Sequence, residues 1–238
     1  MNRFFVDSIG PDAAVIEGED LKHLVSVLRL RRGDRVMLSD GKGSECEGEI
    51  ERMEMDRALV KPGSWRPCVG EPHHKLTVFQ CLPKAGKMET ILQKCTELGM
   101  NALVPTLSAR CVAQPGKDFD RKLLRYRKVV REAAMQSHRG IVPQVLPLVA
   151  LQKADLSIFD TVYVAYEGEK ARTLKTAMAD QPGGCIALFI GPEGGFEPEE
   201  VAGLVEKGAQ AVSLGPRILR TETAGMAMVA QILFELGE

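Results

Sequence analysis

The sequence has no apolar run near the roughly 20 residues that a helix needs to span a bilayer, so no membrane role is expected. Its first residues, Met1–Asn2–Arg3–Phe4–Phe5, show neither the long apolar stretch nor the small-residue cleavage site of a signal peptide. No C-x-x-C pair occurs; the six cysteines are scattered at 46, 68, 81, 95, 111 and 185. That spacing argues against a disulfide frame or a zinc site and for reduced thiols in a cytoplasmic protein. The adjacent His73 and His74 lie on an extended segment and point to opposite sides, so a shared metal is not expected. No G-x-G-x-x-G follows a candidate strand, and a Rossmann-type cofactor site is unsupported.

What is present is a core-forming chain of 238 residues, 45% hydrophobic, enough for one large domain or two smaller ones. The net charge of −1 hides an asymmetry. Residues 73–150 carry 13 Lys+Arg against 5 Asp+Glu, while residues 1–72 carry 11 against 14 and residues 151–238 carry 7 against 13. A basic middle between acidic segments fits an anionic partner on one face.

Residues 1–70 read as a small β-rich module. Short strand candidates at 4–6, 14–16, 35–39, 45–50 and 57–60 are separated by turn signals such as Asp40–Gly41–Lys42–Gly43. Arg29, Arg31 and Arg32 crowd around the Gly33–Asp34 turn, where they suit phosphate contacts or plain solvation. Residues 61–74, rich in Pro and Gly, read as a linker. From Leu76 the pattern alternates strands and helices, predicting an α/β domain over 75–238. Leu76–Cys81 is a strand, and Met88, Ile91, Leu92, Cys95 and Leu98 share a helical face that Gly99 ends. The basic loop between them lacks the Gly and Ser/Thr of an ATP-binding P-loop. A helix over 120–137 has Leu124, Val129, Val130, Ala133 and Ala134 as apolar positions under a basic surface. The last helix, from about Thr223 to Leu236, is apolar on most sides, which predicts burial in a homodimer interface or deep in the core.

The organising feature is a pair of Gly/Pro loops after short apolar runs. Ile186–Ile190 leads into Gly191–Pro192–Glu193–Gly194–Gly195, and Ala211–Leu214 leads into Gly215–Pro216–Arg217–Ile218–Leu219–Arg220–Thr221–Glu222–Thr223–Ala224. In an open α/β sheet such loops sit at the carboxyl ends of strands, where ligands bind. Either loop alone would suit an ordinary turn; the polarity of the second would not. Tyr166–Glu167–Gly168, after the strand 161–166, is a third candidate wall.

These two stretches resemble the C-terminal signature of the SPOUT methyltransferases, and more narrowly that of the ribosomal RNA small subunit methyltransferase E family. Lys94–Gly99, Ser108–Val112, Glu132–Ser137 with Arg139, and His23, Val27–Arg29 and Gly33–Asp34 extend the resemblance over essentially the whole chain. Cys111 stands where a small polar residue is expected.

The resemblance implies an N-terminal PUA-like β-barrel for RNA and a C-terminal α/β domain with a trefoil knot. It implies a homodimer, S-adenosylmethionine as methyl donor, and N3-methylation of uridine in 16S rRNA of the small ribosomal subunit. The alternatives are a methyltransferase acting on another RNA and a non-catalytic ribosome assembly factor. Cofactor contacts are expected from Tyr166, Glu167, Gly168, Ile190, Gly191, Pro192, Glu193, Gly194 and Gly195, and from Leu214, Gly215, Arg217, Ile218, Leu219 and Thr223. Glu222 is a candidate acceptor for the uridine N3 proton or a helix cap, and Arg220 a candidate stabiliser of charge on the uracil or an ion-pair partner of Glu222. Arg29, Arg31 and Arg32, with Lys84, Lys87, Arg110 and Arg139 near the pocket mouth, are the candidate RNA contacts.

Overall fold

The computed structural model describes residues 1–238 other than 8, 11, 12, 85 and 180–183; Ala85 of the basic loop therefore lies outside the described residues. Contacts divide them into two compact units, Met1–Glu71 with Ala134–Val142, and Pro72–Ala133 with Pro143–Glu238.

In the first unit the strands are β1 (Arg3–Phe5), β2 (Ala14–Glu17), β3 (Arg35–Ser39), β4 (Ser44–Met53), β5 (Arg57–Pro62) and β6 (Arg66–Pro67). They form one sheet in the order β1-β3-β4-β5-β2, with β6 also on β4. Only the β1–β3 pair is parallel. Alternation puts Val36 and Leu38 of β3, Ile50 of β4 and Val60 of β5 into a core with Phe4, Ile16 and Leu24. The β3–β4 hairpin turns where the sequence predicts, because Asp40 Oδ1 accepts the Lys42 and Ser44 amides at 2.8 and 2.9 Å. A short helix α1 (Gly18–Lys22) runs into a π-helical turn at His23–Val27, and Arg29 follows with φ of 56°.

The expected linker at 61–74 is mostly not one. β5 continues to Pro62, β6 pairs with β4, and the Cys68 amide donates to Gly43 O at 2.7 Å. The Pro and Gly signals there mark turns inside the unit. Residues 134–142 join the same unit through the Gly43 amide on Gly140 O (3.1 Å) and through Arg139. Arg139, expected as an RNA contact, is 5% exposed and paired with Glu71 at 2.7 Å, so its guanidinium faces the protein interior.

The second unit contains β7 (Lys75–Cys81), α2 (Lys87–Glu97), β8 (Ala102–Leu107), most of α3 (Phe119–Gln136), β9 (Gln144–Val145), β10 (Val149–Ala150) and β11 (Thr161–Ala165). It continues with α4 (Leu174–Met178), β12 (Cys185–Ile190), α5 (Pro198–Glu206), β13 (Gln210–Val212) and α6 (Thr221–Glu235). Its sheet is parallel throughout, in the order β10-β8-β7-β12-β11-β13, with β9 on β8. β12 is a continuous apolar run, and β7 is buried from Leu76 to Cys81, because helices cover both faces of such a sheet. Phe79 stacks on Phe189 across this pair, with ring centroids 4.3 Å apart.

The α3 positions are corrected, and for α6 only the deep-core alternative is. In α3 the buried positions are Leu123, Tyr126, Val130, Ala133 and Ala134, while Leu124 is exposed. In α6 burial is one-sided: Gly225, Met228, Val229, Ile232 and Leu233 are buried and Phe234 is 79% exposed. Among the described residues no helix is long and apolar enough to cross a membrane, and no cluster of His, Cys, Asp and Glu could hold a metal ion.

Candidate active site

The parallel sheet sends the loops after β7, β11, β12 and β13 to one edge. The Gly/Pro loops follow β12 and β13, which are not adjacent; β11 lies between them and contributes the loop starting at Tyr166. Together these loops wall a cavity of about 590 Å³, within the usual range for a small-molecule site.

Most of the expected cofactor residues line it: Tyr166 and Glu167; Ile190, Gly191, Pro192, Glu193, Gly194 and Gly195; Leu214, Gly215, Arg217, Ile218 and Leu219. Arg220 lines it as well. Gly168 and Thr223 do not. A Cβ on Gly168 would come within 2.5 Å of the Tyr166 ring, so this glycine makes room for that ring, and Thr223 points to solvent. Residues missed in the sequence include Ser213, Thr221 and Ala224 on the wall, the last two from the first turn of α6. The spacing of a helix start carries that information only once the start is known to be Thr221.

The β12 loop is held tightly. The Gly195 amide donates to Pro192 O at 3.0 Å, closing a turn, and Gly195 has φ of 65°. A Cβ on Gly195 would lie 2.3 Å from Glu167 Oε1, so the glycine is needed both for its backbone and for the carboxylate beside it. Arg110, expected on RNA, donates to Gly194 O at 3.1 Å and lies 3.9 Å from Glu197; it braces this loop from behind. The Ala109 amide donates to Glu200 Oε1 at 2.8 Å, tying the same segment to α5. Cys111 is buried beneath, 3.3 Å from Ser108 Oγ, and fills the position expected to be polar.

Lys84 and Lys87 both line the cavity, but Lys87 is committed. Its Nζ is 3.0 Å from Glu193 Oε1 and 3.1 Å from Glu222 Oε2. The Lys84 amide donates to the same Glu193 oxygen at 3.0 Å. Glu222 is therefore not placed as expected. Its carboxylate is not on the cavity wall and faces the Lys87 ammonium. Its own backbone N–H holds the carboxyl below the ordinary 4.5; burial opposes this and Lys87 reinforces it. The lowering by its own amide fits the helix-cap alternative for Glu222, and its carboxylate also pairs with Lys87. Burial pushes Glu193 up, but Lys87 and the amides of Glu193 and Lys84 more than offset it, so this carboxyl too sits below 4.5. Lys87 is shifted upward from 10.5, first by Glu193 and then by Glu222.

The sign of the pH dependence follows. Carboxyls depressed on folding contribute stability that is complete above about pH 4.5 and is lost as pH falls through their lower folded values. A lysine raised on folding contributes below its ordinary 10.5 and loses that as pH rises through its folded value. The difference in Tm between the native protein and Lys87→Met is expected to stay constant from about pH 5 to 9 and to shrink below about pH 4. A melting series across that range checks it; a difference that grows on acidification would contradict the cluster.

In the first unit, Arg29, Arg31 and Arg32 are exposed around the Gly33 turn, where Asp34 Oδ2 accepts the Arg31 amide at 2.6 Å. The turn presents Arg29, Arg31 and Arg32 to solvent, and Arg35 lies 3.7 Å from Glu47.

Residues 70–233 match the RNA methyltransferase domain family, and residues 16–62 match the RNA methyltransferase PUA domain. The chain is 34% identical to the ribosomal RNA small subunit methyltransferase E of Bacillus subtilis, over 92% of this chain and 89% of that one. It is 36% identical to the protein of the same name from Mycobacterium bovis, over 96% and 90%. The crystal structure of the Neisseria gonorrhoeae ribosomal RNA small subunit methyltransferase E bound to S-adenosyl methionine superposes with a TM-score of 0.86, at 31% identity, over 98% of this chain and 97% of that one. The chain belongs to the ribosomal RNA small subunit methyltransferase E family of RNA methyltransferases.

Proposed function

We propose that this protein transfers a methyl group from S-adenosylmethionine to N3 of uridine in 16S rRNA of the small ribosomal subunit, in the cytoplasm. The observation that carries the reading is the cavity formed by three loops at the carboxyl ends of β11, β12 and β13. Its walls suit the cofactor. Glycines 191, 194 and 195 bring backbone close, Ile190, Leu214, Ile218 and Leu219 offer apolar surface to a purine, and Glu167 offers a carboxylate to a cationic ligand. When bound, the cofactor supplies an activated, electrophilic methyl group.

The residues of the chain do the rest. The three loops fix the ligand and keep water from it. Uridine N3 lies on the pairing edge, so the base enters unpaired. Arg220 lines the cavity, and its guanidinium stabilises the negative charge that gathers on the uracil oxygens as the N3 proton passes to bulk solvent. Arg29, Arg31 and Arg32 hold RNA phosphates on the PUA-like β-unit. The second unit carries the trefoil knot, and the exposed Phe234 on α6 belongs to a homodimer interface.

Titration of S-adenosylmethionine into the purified protein tests the cofactor site: one molecule bound per chain is expected, and no binding overturns the reading. Gly195→Ala should weaken that binding about tenfold or more with the fold retained, since the new Cβ must displace the Glu167 carboxylate and strain a backbone held at positive φ. Unchanged affinity in this variant would contradict the placement of the β12 loop against the ligand.

A further inference from the structure

Gln80, next to last in strand β7, is 0% exposed and does not line the cavity. A carboxamide in that position has to be matched by protein groups. Its Nε2 donates to Cys81 O at 3.1 Å and to Thr221 Oγ1 at 2.8 Å. Thr221, 5% exposed, passes its hydroxyl hydrogen to Gly191 O at 2.6 Å. A threonine has one such hydrogen, so an oxygen already donating to Gly191 can only accept from Gln80. This fixes the orientation of the amide: exchanging its O and N would set two acceptors against each other. The remaining oxygen, Oε1, is buried without a hydrogen-bond partner and faces α6 at Gly225, where a Cβ would stand 3.3 Å away. The side chain thus keeps its Thr221 contact even though its acceptor is left unmatched.

We propose that Gln80 is a positioning residue that sets the spacing between the two Gly/Pro loops of the cofactor site. Gly191 begins the β12 loop, and Thr221 ends the β13 loop and begins α6. One hydroxyl joins them, and Gln80 orients that hydroxyl from a strand that carries neither loop. The inference rests on the cofactor reading of the cavity, because it assigns the chain of two hydrogen bonds a purpose in holding that ligand.

The test uses Gln80→Leu, Thr221→Val, Thr221→Ser and the double variant Gln80→Leu/Thr221→Val. Two readouts are taken: amide hydrogen exchange of residues 191–195 and 214–220 in the ligand-free protein, and S-adenosylmethionine affinity. Gln80→Leu and Thr221→Val should each speed exchange in both loops and weaken affinity about tenfold, while Thr221→Ser, which keeps the hydroxyl, should recover most of the exchange protection lost in Thr221→Val. The double variant should be no worse than Thr221→Val, because both changes break one chain. Unchanged exchange, a double variant weakened about a hundredfold, or a serine variant as damaged as the valine one would overturn the proposal. If Gln80→Leu does not fold, the Thr221→Ser and Thr221→Val pair decides it. Loosened loops in a protein that binds no S-adenosylmethionine would sink the cofactor reading alone. Tight cofactor binding with undisturbed loops in Gln80→Leu would sink this inference alone.

Discussion

Arg220→Ala is expected to lower kcat for methyl transfer about 10²- to 10³-fold while leaving S-adenosylmethionine affinity within about threefold of the native value. Arg220 sits on the cavity wall just before α6, whose first turn also points its amides toward the site. The sulfonium is already positive before reaction, so a guanidinium beside it gains nothing in the ground state. The uracil gains negative charge only as its N3 proton departs, so the interaction is made chiefly in the transition state. Such a loss falls on kcat and kcat/KM alike. Arg220→Lys should recover part of the rate, since it keeps the charge and loses the planar fork. Single-turnover kinetics with saturating cofactor separate the two effects; a fall in affinity with kcat intact would make Arg220 a binding residue.

Glu71→Ala should destabilise the first unit by about 3–5 kcal/mol. The Glu71 carboxylate accepts from Arg139 Nη2 at 2.7 Å and from the amides of Gly140 and Ile141 at 2.7 and 3.1 Å. The side chains of Arg139 and Glu71 are 5% and 12% exposed. Removing the carboxylate leaves a buried cation without that partner and strips two amides of their acceptor. Arg3 adds to the local positive charge, being paired with Glu45 at 2.6 Å while donating to Arg139 O at 3.2 Å. Glu71→Gln, which keeps an acceptor for the amides, should cost less. Urea unfolding of the three proteins measures this, and a loss under about 1 kcal/mol for Glu71→Ala would show that the segment 134–142 is held by other contacts.

The loops that wall the cavity are legible in the sequence because their chemistry is local. Gly191, Gly195 and Gly215 follow buried strands, and glycine at the carboxyl end of a strand marks both a turn and a close approach. What the sequence hid depends on long-range pairing. Arg139 reads as one more cation in a basic stretch, and only the fold brings it to Glu71, 68 residues earlier. Lys87 likewise reads as free until Glu193 of the β12 loop and Glu222 of the first turn of α6 close on it. Glu222 follows Arg220 by two residues, which suggested a catalytic pair; on the first turn of α6 its carboxylate turns to Lys87 instead. Leu124 and Leu123 are adjacent leucines on a long helix, and periodicity alone does not choose the buried one.

The most direct measurement is nucleoside analysis by mass spectrometry after reaction of S-adenosylmethionine with small ribosomal subunits that lack this modification, with naked 16S rRNA in parallel. N3-methyluridine at a single site, absent when Arg220→Ala replaces the native protein over the same time, is the predicted result. A methyl group on another base or on ribose, or no transfer by a protein that binds the cofactor, would contradict it.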